Sequence, residues 1–228
     1  DFDIPGPLKE EGIEWIKKGF NKYTPTQGIP ELREKIASHL KKKGVQFEEV
    51  MVTAGVTGGL LLASLALINP GDEVIIPDPF FVMYEYQVLL MGGIPVFVDT
   101  YPDFRLREEE IVKKLSKKTK AIMINSPNNP TGTIYPKDDL MKVVRIARER
   151  DLLILSDDIY DNFVFDGPTC PCIGQLYEKA LTFGGFSKGW AMTGWRLGYV
   201  AGPREILQQM ITLQQYAFSS VNSFAQKA

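Results

Sequence analysis

Val50-Met51-Val52-Thr53-Ala54-Gly55-Val56-Thr57-Gly58-Gly59, running on through the apolar stretch Leu60 to Ile68 and stopping at Asn69-Pro70-Gly71, sets the reading of the whole chain. Val50 to Thr53 is a β-rich run of strand length. A glycine turn follows, and Thr57 to Ile68 then reads as a helix ended by the Asn-Pro-Gly breaker. Six further β-rich runs recur downstream: Glu73 to Ile76, Pro95 to Val98, Ala121 to Asn125, Leu152 to Ser156, Ala180 to Phe183 and Leu197 to Ala201. Between two of them, Pro136 to Arg150 starts with proline at a first-turn position and carries Leu140, Val143, Val144 and Ala147 at helical spacing. Strand-helix alternation predicts an α/β fold: a mainly parallel central sheet with right-handed crossovers and helices on both faces. In such sheets ligands gather at the carboxyl ends of the strands.

The composition agrees with a globular domain. The 228 residues are 44% hydrophobic and 24% charged, enough to bury a substantial core. Leu60 to Ile68, the longest apolar run, is far short of the roughly 20 residues that cross a bilayer, so no membrane partner is expected. With 26 basic against 28 acidic side chains the net charge is −2, which provides no field for nucleic acid. The opening Asp1-Phe2-Asp3-Ile4-Pro5 has no signal-peptide character, and a cytoplasmic setting is the expectation. Cys170 and Cys172 read as incidental reduced thiols. The one histidine, His39, reads as a surface residue of a helix marked by Leu32, Ile36 and Leu40, so histidine triads and polyhistidine metal centres have nothing to be built from. No repeat or linker divides the chain, and residues 1–228 read as one domain. Residues 1–30 hold a helix-like stretch, Pro7 to Gly19, and a turn-rich one, and Ala228 arrives without a stop signal, as in a truncated protein.

Two stretches carry chemistry. In Gly55-Val56-Thr57-Gly58-Gly59, backbone amides, the helix dipole and the Thr57 hydroxyl can converge on a phosphate, although a plain strand-to-helix turn has the same sequence. It has neither the lysine of a P-loop nor the spacing of a dinucleotide fingerprint. The second stretch is Gly185-Phe186-Ser187-Lys188-Gly189-Trp190-Ala191-Met192-Thr193-Gly194-Trp195-Arg196-Leu197-Gly198. It sets Lys188 just past a strand end among small and aromatic residues, with Arg196 eight positions on. A lysine by itself is a solvated surface residue. Here the neighbours predict partial burial, which lowers an amine's pKa and makes it a better nucleophile toward an aldehyde.

This stretch resembles the lysine signature of the class I/II, fold-type I aminotransferases that use pyridoxal 5′-phosphate. Further matches follow the family order: Tyr23-Thr24-Pro25-Thr26-Gln27-Gly28-Ile29-Pro30-Glu31-Leu32-Arg33, Asn125-Ser126-Pro127-Asn128-Asn129-Pro130-Thr131-Gly132, and Ser156-Asp157-Asp158-Ile159-Tyr160. The resemblance implies the large domain of such a transferase, reversible amino-group transfer between an amino acid and a 2-oxo acid, and a Schiff base on Lys188. It implies that Lys188 is both anchor and base, that Asp157 faces the pyridine nitrogen, and that Asn129 and Tyr160 donate to the phenolic oxygen. Gly55, Val56, Thr57 and Arg196 would hold the phosphate, and Phe81 would stack on the ring. Tyr23 resembles the tyrosine that reaches the neighbouring subunit's phosphate, which implies a homodimer with shared sites.

Phenylalanine at position 81 departs from the tryptophan of aspartate-preferring relatives and offers no donor to a substrate carboxylate. The family's N-terminal substrate-contacting segment would precede Asp1, and its small C-terminal domain would follow Ala228. Two other readings share the same motifs. One is a pyridoxal-phosphate lyase acting on carbon-sulfur bonds, and the other is a non-catalytic cofactor-binding regulatory module.

Overall fold

The computed structural model of the chain describes residues 2–166 and 170–228. Each β-rich run becomes a strand: β1 (Glu49–Thr53), β2 (Glu73–Asp78), β3 (Ile94–Asp99), β4 (Thr119–Asn125), β5 (Leu153–Asp157), β6 (Ala180–Gly185) and β7 (Gly198–Gly202). They form one sheet in the order β1-β7-β6-β5-β4-β2-β3. The block from β3 through β2, β4 and β5 to β6 is parallel, whereas β7 runs antiparallel to both β6 and β1. The exception has a local cause. Residues 186–197, which join β6 to β7, contain only one 3-10 turn, Thr193–Trp195, and no crossover helix, so the chain returns directly beside the strand it left.

The helices are α1 (Gly6–Lys17), α2 (Pro30–Lys42), α3 (Gly55–Leu67), α4 (Met83–Leu90), α5 (Glu108–Lys114), α6 (Lys137–Arg150) and α7 (Arg204–Phe218). The alternation of side chains along the strands decides where they sit. Val74, Ile76 and Met123 point to one face, where Leu60 and Ala63 of α3, Val88 of α4 and Met210 of α7 cover them. Ile75, Ile122 and Ile124 point to the other, against Leu140, Val143 and Ala147 of α6 and Ile111 of α5. Ile36 and Leu40 of α2 close a third cluster over Val50, Val52 and Ala201, and His39 lies on the exposed side of the same helix. Helices on both faces therefore follow from the pattern. Leu60 and Phe183 are fully buried, and truncating either to alanine should cost about 2–5 kcal/mol.

α3 packs closely enough on the sheet that a Cβ added at Gly59 would stand 3.2 Å from the Phe183 ring. The turn before it also requires glycine: Gly55 has φ +71°, which only glycine adopts without strain. Among the described residues no helix is long and apolar enough to cross a membrane. Cys170 and Cys172 are buried and unpaired with each other, as the sequence suggests.

Candidate active site

The carboxyl ends of the parallel strands deliver the expected side chains to one place. β4 ends on Asn125 and β5 on Asp157, and Lys188 follows the end of β6 by three residues. Asn125 ties two of these ends together, donating its side-chain amide to the Asp157 carbonyl at 2.9 Å while its Oδ1 accepts the Asn129 backbone N–H at 2.8 Å. The loop that carries Asn129 is thereby fixed beside Tyr160, and the Asn129 amide reaches the Tyr160 hydroxyl at 3.5 Å.

A cavity of about 270 Å³ opens there, lined by Val56, Thr57, Phe81, Asn129, Asp157, Tyr160, Lys188 and Arg196. Gly55 lies directly behind it, so close that a Cβ would come within 2.6 Å of the Arg196 Nη2. Of the ten residues expected at the site, eight line the cavity and Gly55 lies behind it, while Tyr23 stands 85% exposed and does not line it. A larger cavity of about 500 Å³ on the α2 side, walled by Leu32, Ile36, Phe186 and Met192, contains none of the ten.

At the floor of the site Asp157 is 3% exposed. Its Oδ2 accepts the Tyr84 hydroxyl at 2.8 Å and its Oδ1 accepts the Ile159 N–H at 3.1 Å. Burial pushes this carboxyl up to about 6, even though Tyr84, the Ile159 amide and the charge on Lys188 all favour its ionised form. Tyr84 is also buried, and burial together with the neighbouring Asp157 raises its phenol well above the ordinary range. The sequence reading missed Tyr84. In Phe80-Phe81-Val82-Met83-Tyr84 it reads as one more core aromatic, and its partner is 73 residues away.

At the rim, α3 has no side-chain cap, so the first N–H groups of the helix, including those of Val56 and Thr57, have no intrahelical acceptors, and both residues line the cavity. The exposed Arg196 stands beside them, donating from Nη1 to the Thr193 carbonyl at 3.0 Å and from Nη2 to the Ala54 carbonyl at 3.4 Å. Its backbone is left-handed, φ +53°, a conformation that costs a non-glycine residue about 1 kcal/mol. An uncapped helix start, an arginine and an exposed threonine hydroxyl together are a donor set of the kind that suits an anion.

Lys188 differs from expectation in one respect. It is exposed rather than partly buried, because the turn after β6 lifts it to the open mouth of the cavity, where its Nζ lies 5.7 Å from the Tyr160 ring centroid. Phe81 also lines the cavity, partly exposed, and packs edge-on against Tyr84.

Comparison with known proteins places the chain in a family. The family model "Aminotransferase class I and II" matches residues 6–228. The chain belongs to that family. Its relatives include an aspartate aminotransferase of Pyrococcus abyssi, 42% identical over all of this chain and 61% of the relative, and aromatic-amino-acid aminotransferase 2 of Thermococcus litoralis, 41% identical with the same coverage. The crystal structure of an aromatic aminotransferase from Pyrococcus horikoshii superposes with a TM-score of 0.96 at 41% identity, over 100% of this chain and 63% of that one. A Thermus thermophilus aspartate aminotransferase variant also gives 0.96, at 38% identity, over 99% of this chain and 64% of that one. The chain thus spans about three fifths of the aminotransferases it matches. The mainly parallel α/β architecture described above is the one shared with these aminotransferases.

Proposed function

We propose that residues 1–228 are the cofactor-holding large domain of an enzyme that transfers an amino group between an amino acid and a 2-oxo acid, with Lys188 as the covalent attachment point of pyridoxal 5′-phosphate. The observation that carries this reading is the meeting of Lys188, Asp157 and the Arg196–α3 anion site in a single 270 Å³ cavity. When bound, the cofactor supplies an aldehyde for the amine and a ring that accepts electrons from the substrate α-carbon.

The residues present fit that group. Asp157 is a buried carboxyl with pKa raised to about 6, and a cationic ring nitrogen beside it would hold it ionised. The uncapped α3 start and Arg196 suit a phosphate. A Cβ at Gly198 would lie 2.7 Å from the Gly55 carbonyl carbon, so these glycines leave room for the cradle. Asn129 and Tyr160, already within 3.5 Å of each other, present donors for one ring oxygen. Phe81 provides an aromatic wall. Lys188, free at the cavity mouth, serves first as the attaching amine and then carries the proton to and from the substrate α-carbon.

The exposed Tyr23 suits a homodimer in which each subunit's hydroxyl reaches the partner's phosphate. Phe81 offers no N–H to a side-chain carboxylate, which favours donors other than aspartate.

The test uses the entire gene product with added pyridoxal phosphate. A visible absorbance band is expected in the wild type and not in Lys188→Ala. A panel of amino donors with 2-oxoglutarate should yield glutamate and the donor's keto acid. Release of ammonia and thiol instead would assign carbon-sulfur elimination, and a ligand-induced spectral change without turnover would assign a regulatory module.

A further inference from the structure

Tyr23 sits in the connection between α1 and α2, a segment with no regular secondary structure and a ring left almost wholly in solvent. An exposed aromatic contributes nothing to ordering such a loop, and fixing each backbone residue costs about 1–2 kcal/mol. The loop is nevertheless bound at many points, and nearly all of its side-chain partners come from the opposite end of the chain. Gln214 of α7, fully buried, donates its amide to the Thr26 carbonyl and, at 3.0 Å, to the Val52 carbonyl of β1. Gln226, 4% exposed, donates to the Thr24 hydroxyl at 3.1 Å and the Val221 carbonyl at 2.9 Å, and its Oε1 accepts the Ile29 N–H at 2.9 Å. Ser223 donates to the Phe20 carbonyl at 2.9 Å.

These bonds press the loop flat against β1. The Val52 N–H donates to the Gln27 carbonyl at 2.9 Å, and Gly28, with φ +101°, approaches so closely that a Cβ would lie 2.4 Å from Val52 Cγ2. Burying primary amides is unfavourable unless their hydrogen bonds are made: Gln226 uses both its Nε2 hydrogens and its Oε1, and Gln214 uses both Nε2 hydrogens, while its buried Oε1 has no partner among the described residues. The same strand leads through Thr53 into the Gly55 turn and the anion site. Gln214, bridging Thr26 to Val52, therefore ties the Tyr23 loop and the phosphate cradle of one chain to a common base.

We infer that Gln214 and Gln226 are positioning residues for Tyr23: they lock the 20–29 loop onto β1 so that the tyrosine stands at a fixed place outside its own chain, where the cavity of a second copy receives the hydroxyl. The inference rests on the proposed pyridoxal-phosphate dimer. It adds to that proposal the clasp that sets the geometry between subunits.

The test compares the pyridoxal-phosphate dissociation constant of the holoenzyme in Tyr23→Phe, Gln226→Leu and Thr24→Val, alone and combined, with amide hydrogen exchange of residues 20–29 read in parallel. Thr24→Val deletes from the loop side one of the three bonds that Gln226→Leu removes and leaves the buried glutamine in place, so the result does not depend on Gln226→Leu folding. Tyr23→Phe should weaken cofactor binding roughly three- to tenfold. The clasp variants should weaken it by a similar or smaller factor, speed exchange in the loop, and add nothing in the Tyr23→Phe background. Faster exchange with unchanged affinity, or effects that multiply in the combined variants, would overturn the inference while leaving the dimer reading intact. An unchanged constant in Tyr23→Phe itself would remove the dimer reading, and the inference with it.

Discussion

The Tyr84 hydroxyl donates a 2.8 Å hydrogen bond to Oδ2 of Asp157, joining the first turn of α4 to the end of β5 beneath the cavity. Among the described residues Asp157 has one other protein donor, the Ile159 N–H at 3.1 Å, and burial already drives its carboxyl up to about 6. Removing a donor to a carboxylate destabilises the ionised form. Tyr84→Phe should therefore raise the Asp157 pKa further, by about one unit for a charged hydrogen bond of ordinary strength. In the cofactor-free protein this is visible as an upward shift of the Asp157 carboxyl carbon resonance titration. In the holoenzyme the acid limb of kcat should move to higher pH. A titration that does not move would show that the tyrosine is only filling space.

A second buried acid lies beside the first. Asp158 accepts hydrogen bonds from Ser156 Oγ and Cys172 Sγ, each at 2.7 Å, and burial raises its carboxyl to about 7 despite both donors and the nearby Lys43. An unfolded aspartate titrates near 4. Between about pH 4 and 7 the folded protein therefore binds more protons at this site than the unfolded chain. The stability it contributes is full at low pH and is lost as pH rises through the folded value. Asp157 acts in the same direction over the lower part of that window. Asp158→Asn, which cannot ionise, should be more stable relative to wild type at pH 8 than at pH 5, measured by urea unfolding of the cofactor-free protein. Parallel stability profiles would contradict the burial argument.

Arg196 is anchored to two carbonyls, Thr193 at 3.0 Å and Ala54 at 3.4 Å, and a guanidinium held in this way still has N–H groups to spare for an anion. Lysine has a single ammonium and no planar fork. Arg196→Lys is expected to weaken pyridoxal-phosphate binding by about tenfold, the scale of one lost charge-assisted hydrogen bond. Pyridoxal, which lacks the phosphate, should bind both forms alike. Equal losses for both compounds would place the effect in the backbone around the residue instead of in the anion site.

The strands were legible as short β-rich runs, and β4 and β5 end on Asn125 and Asp157 beside the cavity. α4 and α5 were not legible. α4 is eight residues long and apolar on both sides, burying Tyr84 and Val88 while exposing Leu89 and Leu90, so no stripe stands out. α5 has seven residues, most of them charged. α7 was readable in principle, since Leu207, Met210 and Gln214 recur at helical spacing after Pro203, yet it contains no motif that draws notice. The direction of β7 and the partners of Tyr84, Gln214 and Gln226 depend on contacts between distant parts of the chain. Local pattern does not encode them.

Two glycines of the lysine stretch separate motif from geometry. A Cβ at Gly198 would meet only backbone, 2.7 Å from the Gly55 carbonyl carbon and 2.8 Å from the Val56 nitrogen, whereas a Cβ at Gly194 would meet nothing within 4 Å. Backbone cannot swing aside as a side chain can. Gly198→Ala must push β7 away from the first turn of α3, the turn that brings Val56 and Thr57 to the cavity. Overpacking of this kind costs about 1–3 kcal/mol, and the displaced amides should also weaken pyridoxal-phosphate binding. Gly194→Ala, four positions earlier in the same stretch, should leave both unchanged. Thermal melting of the cofactor-free protein measures the first effect, and cofactor titration the second. If both alanines were tolerated equally, the close approach of β7 to α3 would not be what holds the anion site in shape.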